Sequence, residues 1–194
     1  TKAQKEIWLK ELPELPSKKR NKYVSEFGLS AYDARVISDE INMANFFEET
    51  VANGAEAKLA SNWVTSDIVG YLKSNKLSFS ELKLSPENLA EMINMISKNI
   101  ISGKIAKEIL PELIQKNISP KKLVEEKGLA MISDSSSILP IIDELINEHP
   151  NEVQAFKNGK TKLLGFFVGQ LMKRTKGKAD PKLANKLLME KLNS

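Results

Sequence analysis

The stretch KLASNWVTSDIVGYL, residues 58–72, decides the fold class of this chain. Its apolar side chains recur every three or four residues, at Leu59, Trp63, Val64, Ile68, Val69 and Leu72. This spacing places them along one side of an α-helix, so we predict a helix from Ala55 onward. Such a stripe could serve as a docking groove, but burial in a hydrophobic core is the favoured interpretation.

Helical periodicity continues on both sides of this stretch. We predict helices over 7–12 (ended by the prolines of 12–16), over 17–27, and from Ser30 through Ile37, with helix resuming at Ile41 and ending at Asn53. Further helices are predicted from Ser85 to Gly103, over 104–116 with a kink or break at Pro111, and from Ser119 to Gly128. The last ones extend from the serine run to about His149, over a short stretch ending at Asn158, and over 161–174 and 181–192. A serine or aspartate before proline is a typical helix start, and glycine is a typical stop. No alternating strand pattern is longer than four residues. The predicted fold class is therefore all-α and multihelical.

The composition excludes several classes of function. The chain has 194 residues, of which 41% are hydrophobic and 28% charged, which suits a soluble protein with a real core. The absence of cysteine excludes disulfides and thiolate sites and suits a reducing cytoplasm, and a single histidine, His149, excludes a multi-histidine metal centre. With no phosphate-binding loop either, we predict no catalytic and no metal-binding residues. We expect His149 to complement the dipole of the helix that it ends.

The first residue and the longest apolar run indicate the origin and the location of the chain. Thr1 is not an initiator methionine and no signal peptide follows it, so we expect a sequence excised from a longer protein. The longest uncharged apolar run, LLGFFVG at 163–169, is too short for a membrane span.

The positive charge of the chain is concentrated near its C-terminus. Residues 1–134 hold 19 Lys or Arg and 19 Asp or Glu, whereas residues 135–194 hold 10 and 6, so the net charge of +4 lies in the last 60 residues. A polar run, Ser133 to Ser137, stands where the balance changes. We therefore predict two domains, a helical domain over 1–133 and a small tail domain over 134–194.

A basic cluster surrounds the helix predicted at 161–174. The candidate nucleic-acid-binding residues are Lys160, Lys162, Lys173, Arg174, Lys176, Lys178 and Lys182. Lysines on a glycine-containing loop suit phosphate contacts, because their charges are mobile and Gly177 lets the backbone approach a ligand. Phe166 and Phe167 are assigned to the core, so the pattern favours recognition of backbone and shape over base reading. Lys104 and Lys107, in the first predicted domain, should matter less.

The same helix carries Gly165 and Gly169, four residues apart. Two glycines at this spacing make a smooth strip that another backbone can approach closely, at a cost of about 1 kcal/mol of helix propensity each. Packing of another helix on the strip is the favoured interpretation.

These residues resemble a known family. The segment GKTKLLGFFVGQLMKRTKGKADPKLANKLLMEKL, 159–192, looks like the C-terminal signature of the GatB family, the B subunits of the aspartyl/glutamyl-tRNA amidotransferases, which is shared in part with YqeY-like proteins. Upstream, the segments 12–40, 45–49 and 58–72 resemble the same family in the same order. The resemblance covers nearly the whole chain.

The resemblance implies a helical domain followed by a YqeY-like tail that reaches the elbow of the tRNA. It implies that ATP and magnesium act in an N-terminal catalytic domain missing from this sequence, which amidates misacylated Glu-tRNA(Gln) or Asp-tRNA(Asn), so that this chain alone is inactive and needs no cofactor. The implied partners are tRNA(Gln), tRNA(Asn) or both, with amidotransferase subunits A and C. The implied location is the cytoplasm, or an organelle if the parent protein is eukaryotic.

A function from another class stays open. The chain could be a protein-docking helical module for partner subunits or for a tRNA synthetase, with the basicity of the tail incidental.

Overall fold

The structure is a computed structural model that describes residues 15–193. Its helical elements, in chain order, are α1 (Pro16–Ser25), α2 (Ala31–Ser38), α3 (Ile41–Ala52), α4 (Ala57–Asn62), a π-helix (Trp63–Ile68), α5 (Val69–Ser74), a 3-10 turn (Phe79–Glu81), α6 (Pro86–Ser97), α7 (Gly103–Lys116), α8 (Pro120–Glu126), α9 (Ser135–Glu148), α10 (Pro150–Lys157), α11 (Leu163–Arg174) and α12 (Pro181–Asn193). Between residues 15 and 193 there is no strand, which confirms the all-α prediction. None of these helices combines the length and the apolar character that a bilayer crossing requires. The helix predicted at 7–12 lies outside the described residues.

Aspartate side chains cap two helices of the tail, α9 and α12, and the cap of α12 is the one that the sequence predicts. Asp134 Oδ1 accepts hydrogen bonds from the backbone N–H groups of Ser136 at 2.9 Å and Ser137 at 3.1 Å, and so begins α9. The side chains of Ser136 and Ser137 also bind this carboxylate and, with the backbone groups, lower the pKa of Asp134 to about 2. Asp180 Oδ1 accepts from the N–H of Lys182 at 2.7 Å and begins α12 in the same way.

The boundary between α6 and α7 differs from the prediction. Gly103, predicted to end a helix, is the first residue of α7, and α6 ends at Ser97. The left-handed residue that follows α6 is Asn99, with φ 55°. Ser102 explains why α7 starts where it does, because its Oγ accepts from the N–H of Ile105 at 3.2 Å and caps the new helix.

Of the kink or break predicted at Pro111, the break does not occur, since α7 runs through this residue. Proline removes one backbone donor from the helix interior. Burial offsets this loss, because Ile109 is 1% exposed and Leu113 fully buried on either side of the proline.

The stretch that decides the fold class is one continuous helix, 57–74, with a π-helical middle. The buried stripe is confirmed for Trp63, Val64, Ile68 and Leu72, which are all less than a tenth exposed. Thr65 Oγ1 donates to the carbonyl oxygen of Ser61 at 2.8 Å, and this bond competes with the backbone ladder where the winding changes. The apolar spacing predicts the helix but not this local unwinding.

The described chain divides into two compact units. The first comprises the described residues up to Asn94 together with Leu113–Asn117, and the second comprises Met95–Glu112 together with the described residues from Ile118 onward. In the first unit, the ring of Tyr23 meets that of Phe47 edge-on with centroids 5.2 Å apart. Its hydroxyl donates to Glu48 Oε1 at 2.9 Å, so a buried aromatic keeps a hydrogen-bond partner.

In the second unit, α9, α10, α11 and α12 enclose a hydrophobic cluster. The buried members are Ile138, Ile142, Leu145, Phe156, Phe167, Leu171, Ala179, Ala184, Leu187, Leu188 and Leu192. Phe167 has no exposed surface, which confirms its assignment to the core. The cluster holds the four helices together, because each contributes one apolar face.

The predicted domain boundary between residues 133 and 134 stays a prediction, and limited proteolysis can test it. We expect proteinase K to cut first within 129–137, because Ser133 and Asp134 are exposed and lie just before α9. Mass spectrometry should then show a resistant fragment that begins near Asp134. Protection of this stretch, with first cleavage at the exposed residues Asn99 and Ile100, would contradict the boundary.

Candidate nucleic-acid interface

Helix α11 carries Lys173 and Arg174, and Lys162 directly precedes its first residue. One side of the helix is fixed in the hydrophobic cluster by Phe167 and Leu171, which are both fully buried. At about 100° per residue, Lys162, Gly169 and Lys173 fall within about 40° of one another on the helix surface. All three are exposed. The exposed side of α11 therefore carries a lysine at each end with glycine between them.

The glycines of α11 do not pack against another helix of the described chain. Gly165 and Gly169 are both exposed, and a Cβ added to either would meet no atom within 4 Å. The favoured interpretation of the strip, helix packing within this chain, is therefore wrong for the part of the chain that the structure describes. The strip is open surface.

A left-handed turn ends α11 and presents Lys176. Lys176 has φ 52° and Gly177 has φ 77°. The N–H of Gly177 donates to the carbonyl of Met172 at 2.7 Å, and the N–H of Lys176 donates to that of Lys173 at 3.2 Å. These bonds satisfy the last carbonyls of the helix, while the side chain of Lys176 stays exposed.

The loop that follows is tied to an earlier segment of the second unit. Ile132 donates its N–H to the carbonyl of Lys178 at 2.7 Å and accepts the N–H of Asp180 at 3.1 Å. Lys178 Nζ donates to the carbonyl oxygen of Gly128 at 2.6 Å. The loop is therefore held in one conformation, and the charge of Lys178 has a partner within the chain.

Arg174, another of the seven candidate residues, is also paired. Its Nη1 lies 3.1 Å from Glu144 Oε2, and its Nη2 bonds Glu148 Oε2. The hydrogen bond to Glu148 raises the pKa of Arg174, and the same bond lowers the pKa of Glu148. Surface pairs of this kind stabilise a fold only slightly, but they occupy the guanidinium.

The seven predicted residues thus form two groups. In the described part of the chain, five have exposed side chains and no ion pair: Lys160, Lys162, Lys173, Lys176 and Lys182. These five are called the free lysines below. Arg174 and Lys178 are engaged with groups of the chain itself.

Lys104 lies beside this surface, although we expected it to matter less than the basic residues of the tail. A Cβ added at Gly177 would lie 3.7 Å from Lys104 Cδ, so the lysine stem runs beside the left-handed turn. Lys104 is exposed and has no ion pair among residues 15–193. No sequence signal links α7 with the end of α11, so only the fold shows this neighbour.

His149 follows the last residue of α9, and the expectation that it complements the dipole of this helix stays a prediction. It caps the C-terminus of α9, and its ring meets that of Phe166 edge-on, with centroids 5.0 Å apart. Its Nδ1 lies 3.9 Å from Glu152 Oε2. Across residues 15–193, no three His, Cys, Asp or Glu side chains are grouped so that they could hold a metal ion.

Comparison with a family model and with individual relatives identifies the same family. Residues 45–192 match the family model described as the GatB domain. Over all 194 residues, the chain is 97% identical to the B subunit of an aspartyl/glutamyl-tRNA(Asn/Gln) amidotransferase from Prochlorococcus marinus (strain AS9601) and covers 40% of it. With the B subunit of the same name from Synechococcus sp. (strain CC9605), identity is 60% over 189 residues, which are 97% of this chain and 38% of that protein.

The chain therefore spans about 40% of the length of the relatives it matches. Because the family model covers well over half of the chain, the resemblance noted in the sequence is confirmed. The chain belongs to the GatB domain family.

Proposed function

We propose that this chain contributes tRNA binding to a cytoplasmic amidotransferase that converts Glu-tRNA(Gln), Asp-tRNA(Asn) or both to the amidated forms. The relatives carry the name of the B subunit of such an enzyme, which supports the family-level part of the proposal. The contact itself is assigned to the free lysines. The observation that carries this assignment is that these five lysines have no ion pair and no side-chain hydrogen bond in the described chain. The neighbouring Arg174 is instead paired with Glu144 and Glu148, and Lys178 donates to the carbonyl oxygen of Gly128.

The arrangement suits a polyanion longer than one phosphate group. Lys162 and Lys173 are eleven residues apart on one face of α11, which corresponds to about 16 Å along a helix axis. One phosphate cannot contact both ends. A nucleic-acid strand laid along α11 can reach both, and each contact releases condensed counterions.

The open strip favours close approach of such a strand. Side chains at positions 165 and 169 would stand between the helix and a ligand, and glycine removes them. Phe166, the neighbouring aromatic residue, is half-buried against His149 and is not available for stacking on a base. The surface therefore suits contacts with the sugar–phosphate backbone, which position an RNA without reading its sequence.

The catalytic steps are assigned to the remaining length of the relatives. We infer that ATP and magnesium are held there, and that subunits A and C assemble with the complete protein. The docking alternative, in which the chain binds partner subunits or a tRNA synthetase, is kept as an outcome of the tests below.

The first test removes two free lysines. The double variant Lys173→Gln/Lys176→Gln should flatten the slope of log K for tRNA against log salt by about 1–2, at roughly 0.7–0.9 for each phosphate group that is no longer neutralised. The weakening should be similar for tRNAs of equal shape, since no side chain reads bases. Fluorescence titrations at several salt concentrations measure the slope.

The chain offers a closely matched control in the first unit. Lys73 lies in the last turn of α5 and Lys76 follows it in a left-handed turn with φ 56°, and the N–H of Lys76 donates to the carbonyl of Lys73 at 3.2 Å. The variant Lys73→Gln/Lys76→Gln should leave the slope unchanged. Equal slopes for both double variants would contradict the assignment and favour protein docking.

The second test separates stability from binding. The variant Gly165→Ala/Gly169→Ala should stabilise the chain by about 1–2 kcal/mol, because alanine is the better helix former and its Cβ meets open space. The same variant should weaken tRNA binding, because two methyl groups then line the strip. Thermal unfolding and tRNA titration measure the two effects.

Gly70 supplies the control for this test, since it is exposed on α5 and a Cβ there also meets no atom within 4 Å. Gly70→Ala should stabilise the chain without a change in tRNA affinity. Unchanged tRNA affinity in the Gly165→Ala/Gly169→Ala variant would remove the strip from the proposal.

The third test concerns catalysis. We expect the purified chain alone to show no ATPase, glutaminase or amidotransferase turnover, because it lacks cysteine and its one histidine is packed against aromatic rings. Activity that follows the chain through successive columns would overturn this expectation.

A further inference from the structure

Lys104, the second residue of α7, lies beside the turn that ends α11. A Cβ added at Gly177 would be 3.7 Å from Lys104 Cδ. The ammonium nitrogen is two bonds further along the stem, so it lies within about 6 Å of that position. Lys104 is not one of the seven residues to which the sequence assigns nucleic-acid binding. The fold therefore adds a cation from α7 to the neighbourhood of Lys176.

Backbone hydrogen bonds hold this neighbourhood together. Met131 donates its N–H to the carbonyl of Ile100 at 2.8 Å, just before α7 begins. The next residue, Ile132, donates to the carbonyl of Lys178 at 2.7 Å and accepts the N–H of Asp180 at 3.1 Å. Two consecutive residues thus tie the start of α7 to the loop after α11. All of these residues belong to the second unit, so the nearness of the two elements is a fixed feature of one compact unit.

The backbone that carries Lys104 is itself anchored on both sides. Ser102 Oγ accepts the N–H of Ile105 at 3.2 Å and caps the helix. Ile101 and Ile105, which flank the lysine, are 1% and 2% exposed. The side chain of Lys104 is nevertheless exposed, and it has no ion pair and no side-chain hydrogen bond within residues 15–193. Its charge is therefore presented without a prior ordering of the backbone.

The carboxylates near Lys104 in the sequence or at the turn do not neutralise it. Glu108 stands one turn further along α7, and the two side chains form no ion pair in the described chain. Asp180 Oδ1 is occupied by the N–H groups of Lys182 at 2.7 Å and Leu183 at 3.1 Å. Lysines that gather without an ion-pair partner repel one another, and an anionic strand bound over the turn would neutralise them.

The cations follow one another from the beginning of α11 to a point beyond its end. Lys162 directly precedes the helix, Lys173 lies in its last turn, and Lys176 lies in the left-handed turn. Lys104 lies beside Gly177, the next residue of that turn. A strand that leaves the C-terminal end of α11 therefore meets a further positive charge on α7.

We propose that an RNA backbone bound along α11 continues past the end of this helix and contacts Lys104. This contact rests on the proposed function of the free lysines and extends their surface to a helix outside the predicted tail domain, 134–194. Lys104 serves as a point charge for a phosphate group, so it adds affinity without selecting bases. The nucleic-acid interface is thus composite, built from α11 and the start of α7.

The first experiment measures the salt dependence of tRNA binding by the 194-residue chain. Lys104→Gln should flatten the slope of log K against log salt by roughly 0.7–0.9, the contribution of one phosphate group. Lys104→Arg keeps the charge and should keep the parent slope. Thermal unfolding of both variants should match the parent chain, because the side chain is exposed.

Lys121 supplies a matched control in the same unit. It is also an exposed lysine at the second position of a serine-capped helix, since Ser119 Oγ accepts the N–H of Lys122 at 3.4 Å at the start of α8. Lys121→Gln should therefore keep the parent slope. An equal flattening in Lys121→Gln and Lys104→Gln would overturn the proposed contact, because the effect would then follow net charge alone.

The second experiment uses the absence of cysteine from the chain. Lys104→Cys introduces one thiol, which is alkylated with azidophenacyl bromide and irradiated in the presence of transcribed tRNA(Gln). A covalent protein–RNA adduct is expected on a denaturing gel, and the same treatment of Lys121→Cys should give none. Equal adduct from both positions, or none from position 104, would overturn the contact.

The double variant Lys173→Gln/Lys176→Gln separates this contact from the proposed function. A flattened slope in that variant, together with the parent slope in Lys104→Gln, overturns the contact with α7 and leaves the assignment of the free lysines intact. The parent slope in both variants contradicts both. A flattened slope in both, with an adduct only from position 104, supports the composite interface.

Discussion

Two backbone hydrogen bonds of Ile132 hold the part of the chain on which the proposed RNA contacts depend. They join this residue to Lys178 and Asp180, at 2.7 and 3.1 Å. Lys178 follows the left-handed turn that ends α11, and Asp180 caps α12, so the same pair of bonds fixes the end of one helix and the start of the next. A loop held in this way presents Lys176 without first having to be ordered, which lowers the entropic cost of binding.

Structural features that depend on only a few neighbouring residues could be predicted from the sequence. The aspartate–proline start of α12 and the buried stripe of the helix 57–74 depend on local capping and on helical spacing. The start of α7 and the π-helical stretch depend instead on competition between alternative hydrogen bonds. Ser102 caps a helix that starts at Gly103, and Thr65 takes the carbonyl of Ser61 where the winding becomes π-helical. Neither outcome follows from propensity or spacing alone.

The sequence predicts which residues of the candidate site are cationic. It does not predict which of these cations already have a partner within the chain. Long cationic side chains are nearly always exposed, so naming the lysines needed no tertiary structure. The pairing of Arg174 requires α9 to lie beside α11, and its only sequence signal is the four-residue spacing of Glu144 and Glu148. The nearness of Lys104 to Gly177 leaves no trace in the sequence pattern.

The ion pairs of α9 have a consequence for the electric field of the tail. Glu144 and Glu148 are matched to Arg174, and Asp143 lies 2.6 Å from Lys191 Nζ, so these carboxylates are compensated locally. The free lysines, together with Lys157, Lys178 and Lys186, carry the positive charge of the tail that has no ion-pair partner among the described residues. The net positive charge of residues 135–194 attracts an approaching polyanion before contact. Steering of this kind acts on the association rate constant more than on the lifetime of the complex, and it weakens as ionic strength rises.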